Sequence, residues 1–240
     1  GAFHPKLIIL TSATEGRLLL LSANLTRAGY TRNWEVVTRF EYDAKKPDPS
    51  AWAAFSWALD TVSRVVSASD ADRLGRQRLD RLLGTTPWLR HESPATGTAS
   101  VSTLHNLDEP LFDQILARYC QGDSSPVKDL VSVSPFFDVG AIALDSLLSG
   151  FRPEVLSLFT HTTDHGLNPA ALRCVLDQYD TEVHLNGLET GPRWLHAKVL
   201  LIRSERGAWL ASGSANLSAP AWLRRAAEGN TEFVALRFED

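Results

Sequence analysis

Two stretches of this chain, 192 residues apart, repeat one set of residues at nearly one spacing. The first runs His4-Pro5-Lys6, then Ser22-Ala23-Asn24-Leu25-Thr26, then Asn33-Trp34-Glu35; the second runs His196-Ala197-Lys198, Ser214-Ala215-Asn216-Leu217-Ser218 and Asn230-Thr231-Glu232. In both, eighteen positions carry the His to the Ser and twenty carry it to the Asn, and the second copy adds five residues before its Asn-x-Glu. Such a repeat restricts the chain to a fold built from two like halves. Each copy also repeats a local pattern: an apolar strand (6–10, 198–202), a turn (13–16, 204–207), a second apolar strand (17–21, 208–211), and a third that begins at the Asn-x-Glu (35–42, 232–238). His and Lys two positions apart project from one face of a strand, and an antiparallel hairpin returns the Ser-x-Asn to their level. The four groups of each copy therefore meet without a long connection.

Between the copies the chain changes character. Residues 43–50, with two lysines and two prolines, read as a linker, and 51–67 and 70–83 have the apolar spacing of helices. Residues 85–100 read as a loop and 109–119 as a helix. There follow a strand (130–134), a helix (140–148), a strand (155–160), a helix (169–178) and a strand (182–185), an alternation that predicts an α/β layer around a central sheet. The expected architecture is a duplicated α/β fold with mixed sheets and one active site between the halves. Residues 1–124 form the first half, with a helical insertion at about 51–84, and 125–240 form the second. The chain contains no methionine, and no alternating run precedes His4, so the first half is expected to lack an upstream part.

Composition excludes several classes. At 240 residues and 44% hydrophobic the chain buries a sizeable core, yet it has no run of about 18 apolar residues and no apolar leader. No membrane partner is expected. Cys120 and Cys174 lack the spacing of a disulfide framework or a metal site, so we expect a cytoplasmic protein with no metal and no cofactor. The formal net charge of −4 gives no general pull towards nucleic acid. Its distribution does: residues 191–227 carry a net +5 and residues 1–33 a net +3, against −9 over 34–190. Positive charge gathers at the two motifs, as a phosphate-holding site requires.

At these residues the chain resembles the phospholipase D superfamily, whose members carry two His-x-Lys motifs, each followed by a Ser-x-Asn, on a duplicated α/β fold. The resemblance covers about residues 1–42 and 125–240. The superfamily's usual Asp beyond each His-x-Lys falls here on Thr11 and Arg203. The branch that lacks this Asp and keeps His, Lys and Asn is the tyrosyl-DNA phosphodiesterase one, and Ser-Ala-Asn-Leu-Ser near Trp222 is similar to that branch too.

The resemblance implies a metal-independent phosphodiesterase acting through a phosphohistidine. Breaking a phosphodiester this way needs a nucleophile, an acid for the leaving oxygen, and cationic or hydrogen-bonding groups on the non-bridging oxygens. His4 is implied as the nucleophile and His196 as the acid and later base, with Lys6, Lys198, Asn24 and Asn216 holding the oxygens. The near-symmetry of the copies leaves the order of the two histidines open on residues alone. Glu35 and Glu232 are candidates for orienting the imidazoles. Ser22, Ser214, Trp34, Trp194 and Trp222 are candidates for contacting substrate, the tryptophans by stacking on bases; packing is the ordinary role of a tryptophan.

Nucleic acid is the expected partner, DNA in preference to RNA, with phospholipase or phosphatidyl-transfer activity and a catalytically silent DNA-binding module as alternatives. One chain carries both motifs, so a monomer suffices for the site. The segment His161-Thr162-Thr163-Asp164-His165 has two imidazoles and a carboxylate, but it reads as a loop with structural or substrate contacts rather than a metal site. Ser134-Pro135-Phe136-Phe137-Asp138 reads as core packing or as a rim of the substrate groove.

Overall fold

The computed structural model describes residues 2–68, 73–89, 101–162, 166–189 and 191–240. It divides into two compact units, one of Gly1–Lys6, Leu20–Thr38 and Leu104–Asp240, the other of Leu7–Leu19 and Arg39–Thr103.

The larger unit holds all of a seven-stranded sheet except the first three residues of one strand. Its strands are β4 (Val101–His105), β5 (Asp129–Val133), β6 (Val155–His161), β7 (Glu182–Leu188), β8 (Val199–Arg203), β9 (Ala208–Gly213) and β10 (Phe233–Glu239), in the order β4-β10-β9-β8-β5-β6-β7. Helices α5 (Ile142–Phe151) and α6 (Pro169–Leu176) connect β5 to β6 and β6 to β7. Those strands run parallel, with Leu130 opposite Leu156 and Leu158 opposite Leu185, as strand-helix-strand crossovers require. β8 then pairs antiparallel with β5 and β9, and β9 antiparallel with β10, so the sheet is mixed as expected. Leu130, Leu156, Leu158, Leu200 and Ile202 are buried on the strands, and Leu144, Leu147 and Leu148 of α5 join the same core. Helix α4 (Leu111–Gly122) adds Leu111, Ile115 and Tyr119, at the i, i+4 spacing of one helix face. Helix α5 starts after Ala141 in a left-handed conformation (φ 52°), and Asp138 caps it by accepting from Ile142 N–H at 2.6 Å and Ala143 N–H at 3.1 Å.

The smaller unit holds a three-stranded sheet in the order β1 (Leu7–Thr11), β2 (Glu15–Leu21), β3 (Val37–Asp43), with helices α2 (Pro49–Ser67) and α3 (Arg73–Thr85). Asp48 caps α2 by accepting from Ser50 N–H at 2.9 Å, and Pro49 sits in the first turn, where its missing N–H costs nothing. Ala51, Ala54, Phe55, Ala58 and Leu59 form the buried stripe of α2. Trp88 is the centre of this small core: it stacks on Tyr42 at 4.1 Å, meets Phe55 edge-on at 5.1 Å, and donates its indole N–H to Ser12 O at 3.1 Å. The expected loop over 85–100 starts instead as the end of α3 and a short 3-10 turn, Pro87–Leu89, because Trp88 has this pocket to fill; residues 90–100 lie outside the described residues.

Every motif residue belongs to the larger unit. The His-x-Lys triplets stand just before β1 and β8, the Ser-x-Asn just after β2 and β9, and the Asn-x-Glu just before β3 and β10. The apolar pattern predicts strands that include Lys6, Lys198, Glu35 and Glu232. They stand one or two residues outside, because here the backbone joins the other copy: His4 N–H donates to Thr231 O at 3.2 Å and His196 N–H to Trp34 O at 2.9 Å.

Candidate active site

The two copies meet by exchange. Single parallel bridges pair Phe3 with Thr231 and Leu195 with Trp34, equivalent positions read in opposite directions across the repeat. Each bridge places the Glu of one copy beside the His of the other. His4 Nδ1 is 3.1 Å from both carboxylate oxygens of Glu232, and His196 Nδ1 is 2.9 Å from the carboxylate of Glu35. The carboxylates in turn are fixed by their own copies. Ser22 Oγ donates to Glu35 at 2.5 Å and Asn33 Nδ2 at 3.1 Å; Ser214 Oγ donates to Glu232, and Asn230 Nδ2 does so at 3.4 Å. Val36 and Phe233 N–H close the pattern by donating to the same two serine hydroxyls at 2.9 and 3.0 Å.

This arrangement dictates tautomers. An ionised carboxylate only accepts, so each Nδ1 carries its hydrogen and each Nε2 is left for chemistry. Burial works to raise the Glu35 pKa, but the bonds from His196, Ser22 and Asn33 outweigh it and hold this carboxyl below its usual value. Glu232 is fully buried, where a carboxylate is tolerated only when its oxygens are saturated, as His4, Ser214 and Asn230 do here.

The lysines repeat one geometry and differ in setting. Lys6 Nζ donates to His4 O at 2.6 Å and Lys198 Nζ to His196 O at 2.7 Å. Lys198 Nζ also lies 3.0 Å from His196 Nε2. Burial lowers the pKa of both ammonium groups, against the opposing pull of Glu232 and Glu35, and takes Lys198 down to about 7.

Asn24 is exposed, on a turn where Thr26 N–H donates to Asn24 O at 2.7 Å and Thr26 caps helix α1 (Arg27–Thr31). Only glycine fits at position 29, where a Cβ would collide with the Asn24 carbonyl oxygen. Asn216 has the equivalent turn, closed by Ser218 N–H to Asn216 O at 2.8 Å, but is half-buried, and its Oδ1 has no partner among the described residues.

Two expectations are corrected. Ser22 and Ser214 are fully buried with their hydroxyls committed to Glu35 and Glu232, so they hold the carboxylates and present nothing to a substrate. Trp222, on α7 (Ala219–Trp222), is 4% exposed within the main core and has no free face for stacking. Trp34 and Trp194 are exposed beside the site, with Trp34 N–H donating to Trp194 O at 2.8 Å.

Other residues support the site from outside the two repeated motifs, and Asn106 among them has no pattern to announce it. Asn106 is fully buried and donates to Arg224 O at 3.0 Å and Asn230 O at 2.5 Å while accepting from Glu232 N–H at 2.8 Å, which pins the backbone that carries Glu232. Ser134 and Asp138 do the same for the Asn216 turn: Leu217 N–H donates to Ser134 Oγ and Ala219 N–H to Asp138, both at 3.0 Å. Ser134-Pro135-Phe136-Phe137-Asp138 is therefore a brace under the Ser-x-Asn turn. His161 stacks on Trp194 at 3.7 Å and places Nε2 2.9 Å from Leu195 O, immediately before His196. Residues 163–165 of that segment lie outside the described residues.

No family model and no curated protein matches the chain. Among solved structures, a mutant of yeast tyrosyl-DNA phosphodiesterase 1 superposes with a TM-score of 0.56 at 13% identity, over 98% of this chain and 67% of that one. Nuc from Salmonella typhimurium, a phospholipase D family member, matches 58% of this chain and 82% of its own at 12% identity, with a TM-score of 0.38. NucT from Helicobacter pylori matches 57% and 84% at 23% identity, with a TM-score of 0.35. The first likeness extends over nearly the whole chain.

Proposed function

We propose that this chain, which has the phospholipase D-like fold of yeast tyrosyl-DNA phosphodiesterase 1, is a metal-independent phosphodiesterase acting on nucleic acid through a phosphohistidine. The observation that carries the reading is the crossed pairing of His4 with Glu232 and His196 with Glu35, which leaves two Nε2 atoms, one from each copy, for nucleophilic and acid–base work. His4 is the better nucleophile: its side chain is 25% exposed against 12% for His196, and its Nε2 has no lysine bonded to it.

In the first step His4 Nε2 attacks phosphorus, the bond from phosphorus to the leaving oxygen breaks, and His196 Nε2 gives that oxygen a proton. In the second, water attacks the phosphohistidine, His196 takes the water's proton, and the bond from phosphorus to Nε2 breaks. Lys6, Lys198, Asn24 and Asn216 hold the non-bridging oxygens, where negative charge persists throughout.

Nucleic acid, DNA before RNA, is favoured by the basic charge at both motifs, the exposed Trp34 and Trp194, and the name of the fold neighbour. No helix among the described residues is long and apolar enough to cross a membrane. A cytoplasmic setting, one catalytic site per chain, and a duplication divided at 1–124 and 125–240 belong to the same proposal.

The test is cleavage of end-labelled single- and double-stranded DNA in EDTA, with RNA and phosphatidylcholine vesicles in parallel. Cleavage of DNA that survives chelation, is lost in both His4→Ala and His196→Ala, and leaves an acid-labile 32P-phosphoenzyme on quenching supports the reading. Loss of cleavage in EDTA, or turnover of the lipid alone, overturns it.

A further inference from the structure

We propose that Lys198 and His196 share a single proton across the 3.0 Å between Nζ and Nε2, so that Lys198 loads and unloads the catalytic acid while Lys6 only holds phosphate. The proposal rests on the phosphodiesterase reading for its consequence, but the proton sharing stands on geometry. Glu35 accepts from His196 Nδ1, and the same carboxylate accepts from Ser22 and Asn33, so Nδ1 keeps its hydrogen and only Nε2 can change state. An ammonium facing a protonated Nε2 would set donor against donor. At 3.0 Å the contact needs one proton between the two nitrogens, on Nζ or on Nε2.

Nothing equivalent exists in the first copy, where Lys6 Nζ bonds the His4 carbonyl oxygen and leaves Nε2 alone. Lys198 is also the more buried lysine, and the charged groups that face it are His196, Glu35, Glu232 and Lys6. Burial brings its ammonium down to about 7, the range in which imidazoles titrate. Passing the proton from Nζ to Nε2 leaves the charge of the pair at +1, so the transfer adds no net charge to a buried site, where a new uncompensated charge is costly.

Before cleavage Lys198 is an ammonium donating to the Nε2 lone pair of neutral His196. Nζ first passes its proton to that lone pair, which leaves Lys198 as a neutral amine and His196 as an imidazolium; as the bond to the leaving oxygen breaks, Nε2 gives the same proton to that oxygen. When water attacks the phosphohistidine, its proton goes to Nε2 and on to Nζ, which restores the ammonium. His4 needs no such partner because its Nε2 forms and breaks a bond to phosphorus.

Two measurements test this on the full chain. The first compares a deoxydinucleotide with a thymidine p-nitrophenyl phosphodiester, whose leaving group needs no proton. Lys198→Arg keeps a cation but cannot release its proton near neutral pH. It is expected to lose about a hundredfold on the dinucleotide and less than about fivefold on the nitrophenyl ester. Lys6→Arg is expected to lose equally on both. An equal loss on both esters for Lys198→Arg overturns the proposal, since that is the signature of phosphate holding. The second is 15N NMR of the histidine-labelled protein, assigned with His4→Gln and His196→Gln, over pH 5 to 10. Lys198→Met is expected to move the Nε2 chemical shift of His196 and not that of His4; an unchanged His196 overturns proton sharing even if neither ester is cleaved. Wild type that cleaves neither ester sinks the phosphodiesterase reading instead.

Discussion

The two copies of the motif share nearly every hydrogen bond and differ in how much water reaches them. Leu25 is 78% exposed and its counterpart Leu217 2%; Phe3 is exposed and Leu195 buried; Asn24 is exposed and Asn216 half-buried. The cause is packing. The second copy lies against β5, β6 and the brace of Ser134 and Asp138, where Leu217 also bridges to Phe137. The same His, Lys, Ser, Asn and Glu thus become a drier half and a more open half. On the proposed mechanism, this difference in solvation is what separates the nucleophile from the acid.

The largest break in that comparison comes from the histidines. His4→Ala and His196→Ala are each expected to lower kcat by at least about a thousandfold. The open half and the closed half should then separate on rescue. Added imidazole is expected to restore His4→Ala more than His196→Ala, because the vacated space of His4 opens to solvent; equal rescue in a kinetic titration would remove the distinction.

Next come the carboxylates. Glu35→Gln and Glu232→Gln remove the acceptor that fixes each tautomer, and each should cost about tenfold to a hundredfold in kcat, measured at saturating substrate. The crossed pairing adds a sharper outcome. Glu232→Gln should move the 15N shift of His4 Nδ1 and leave that of His196, although His196 belongs to the same copy. Glu232→Ala should also destabilise by about 1–3 kcal/mol in urea unfolding, because the hydroxyl of Ser214 and the amide of Asn230 lose a buried partner.

The crossing itself was beyond reach of the sequence. Regular spacing within each copy makes the repeat visible, and short apolar runs such as Leu7–Thr11 and Val199–Arg203, each followed by turn residues, mark strands. Alternation of strands and helices from Asp129 to Leu188 likewise foretells the parallel part of the sheet. Which copy's Glu faces which His is different. It depends on contacts between residues 228 and 161 positions apart, made through backbone bridges that leave no mark on side-chain pattern. Ser22 and Ser214 were misread for the same reason, since a hydroxyl in a motif looks equally fit for substrate or for a neighbouring carboxylate. Asn106 carries no signal at all: one buried amide satisfied at three points by distant backbone looks like any loop asparagine.

A smaller effect probes solvation directly. Lys198 has a folded-state pKa of about 7, below the 10.5 of the free side chain, so between those values the unfolded chain binds more protons than the native one. Stability should therefore rise with pH across that window. Lys198→Met should flatten the rise, as read from urea midpoints at pH 7, 8, 9 and 10. For Glu35 the sign is opposite. Its carboxyl is held below its ordinary value, so it contributes stability at neutral pH that is lost as pH falls through the folded-state value, and Glu35→Gln should blunt the acid limb of the same series. A slope at pH 7 to 10 that Lys198→Met leaves unchanged would mean the second copy is no drier than the first.

The smallest effect concerns the tryptophans, of which Trp34 and Trp194 are exposed and Trp222 is buried. Trp34 is exposed on the open side, and its backbone, bonded to Trp194 O and accepting from His196 N–H, holds it beside the site whatever its ring does. Trp34→Ala should leave the melting temperature nearly unchanged and raise KM for single-stranded DNA by about tenfold, since one base stacked on an aromatic ring is worth about 1–3 kcal/mol, with little change in kcat. Trp222→Ala offers the contrast: a core ring removed should cost about 3–5 kcal/mol of stability, with any loss of binding following unfolding. A Trp34→Ala variant that binds DNA as well as wild type would leave the open half apolar for some reason other than bases, and would weigh the exposed Phe3 and Leu25 against a nucleic-acid substrate.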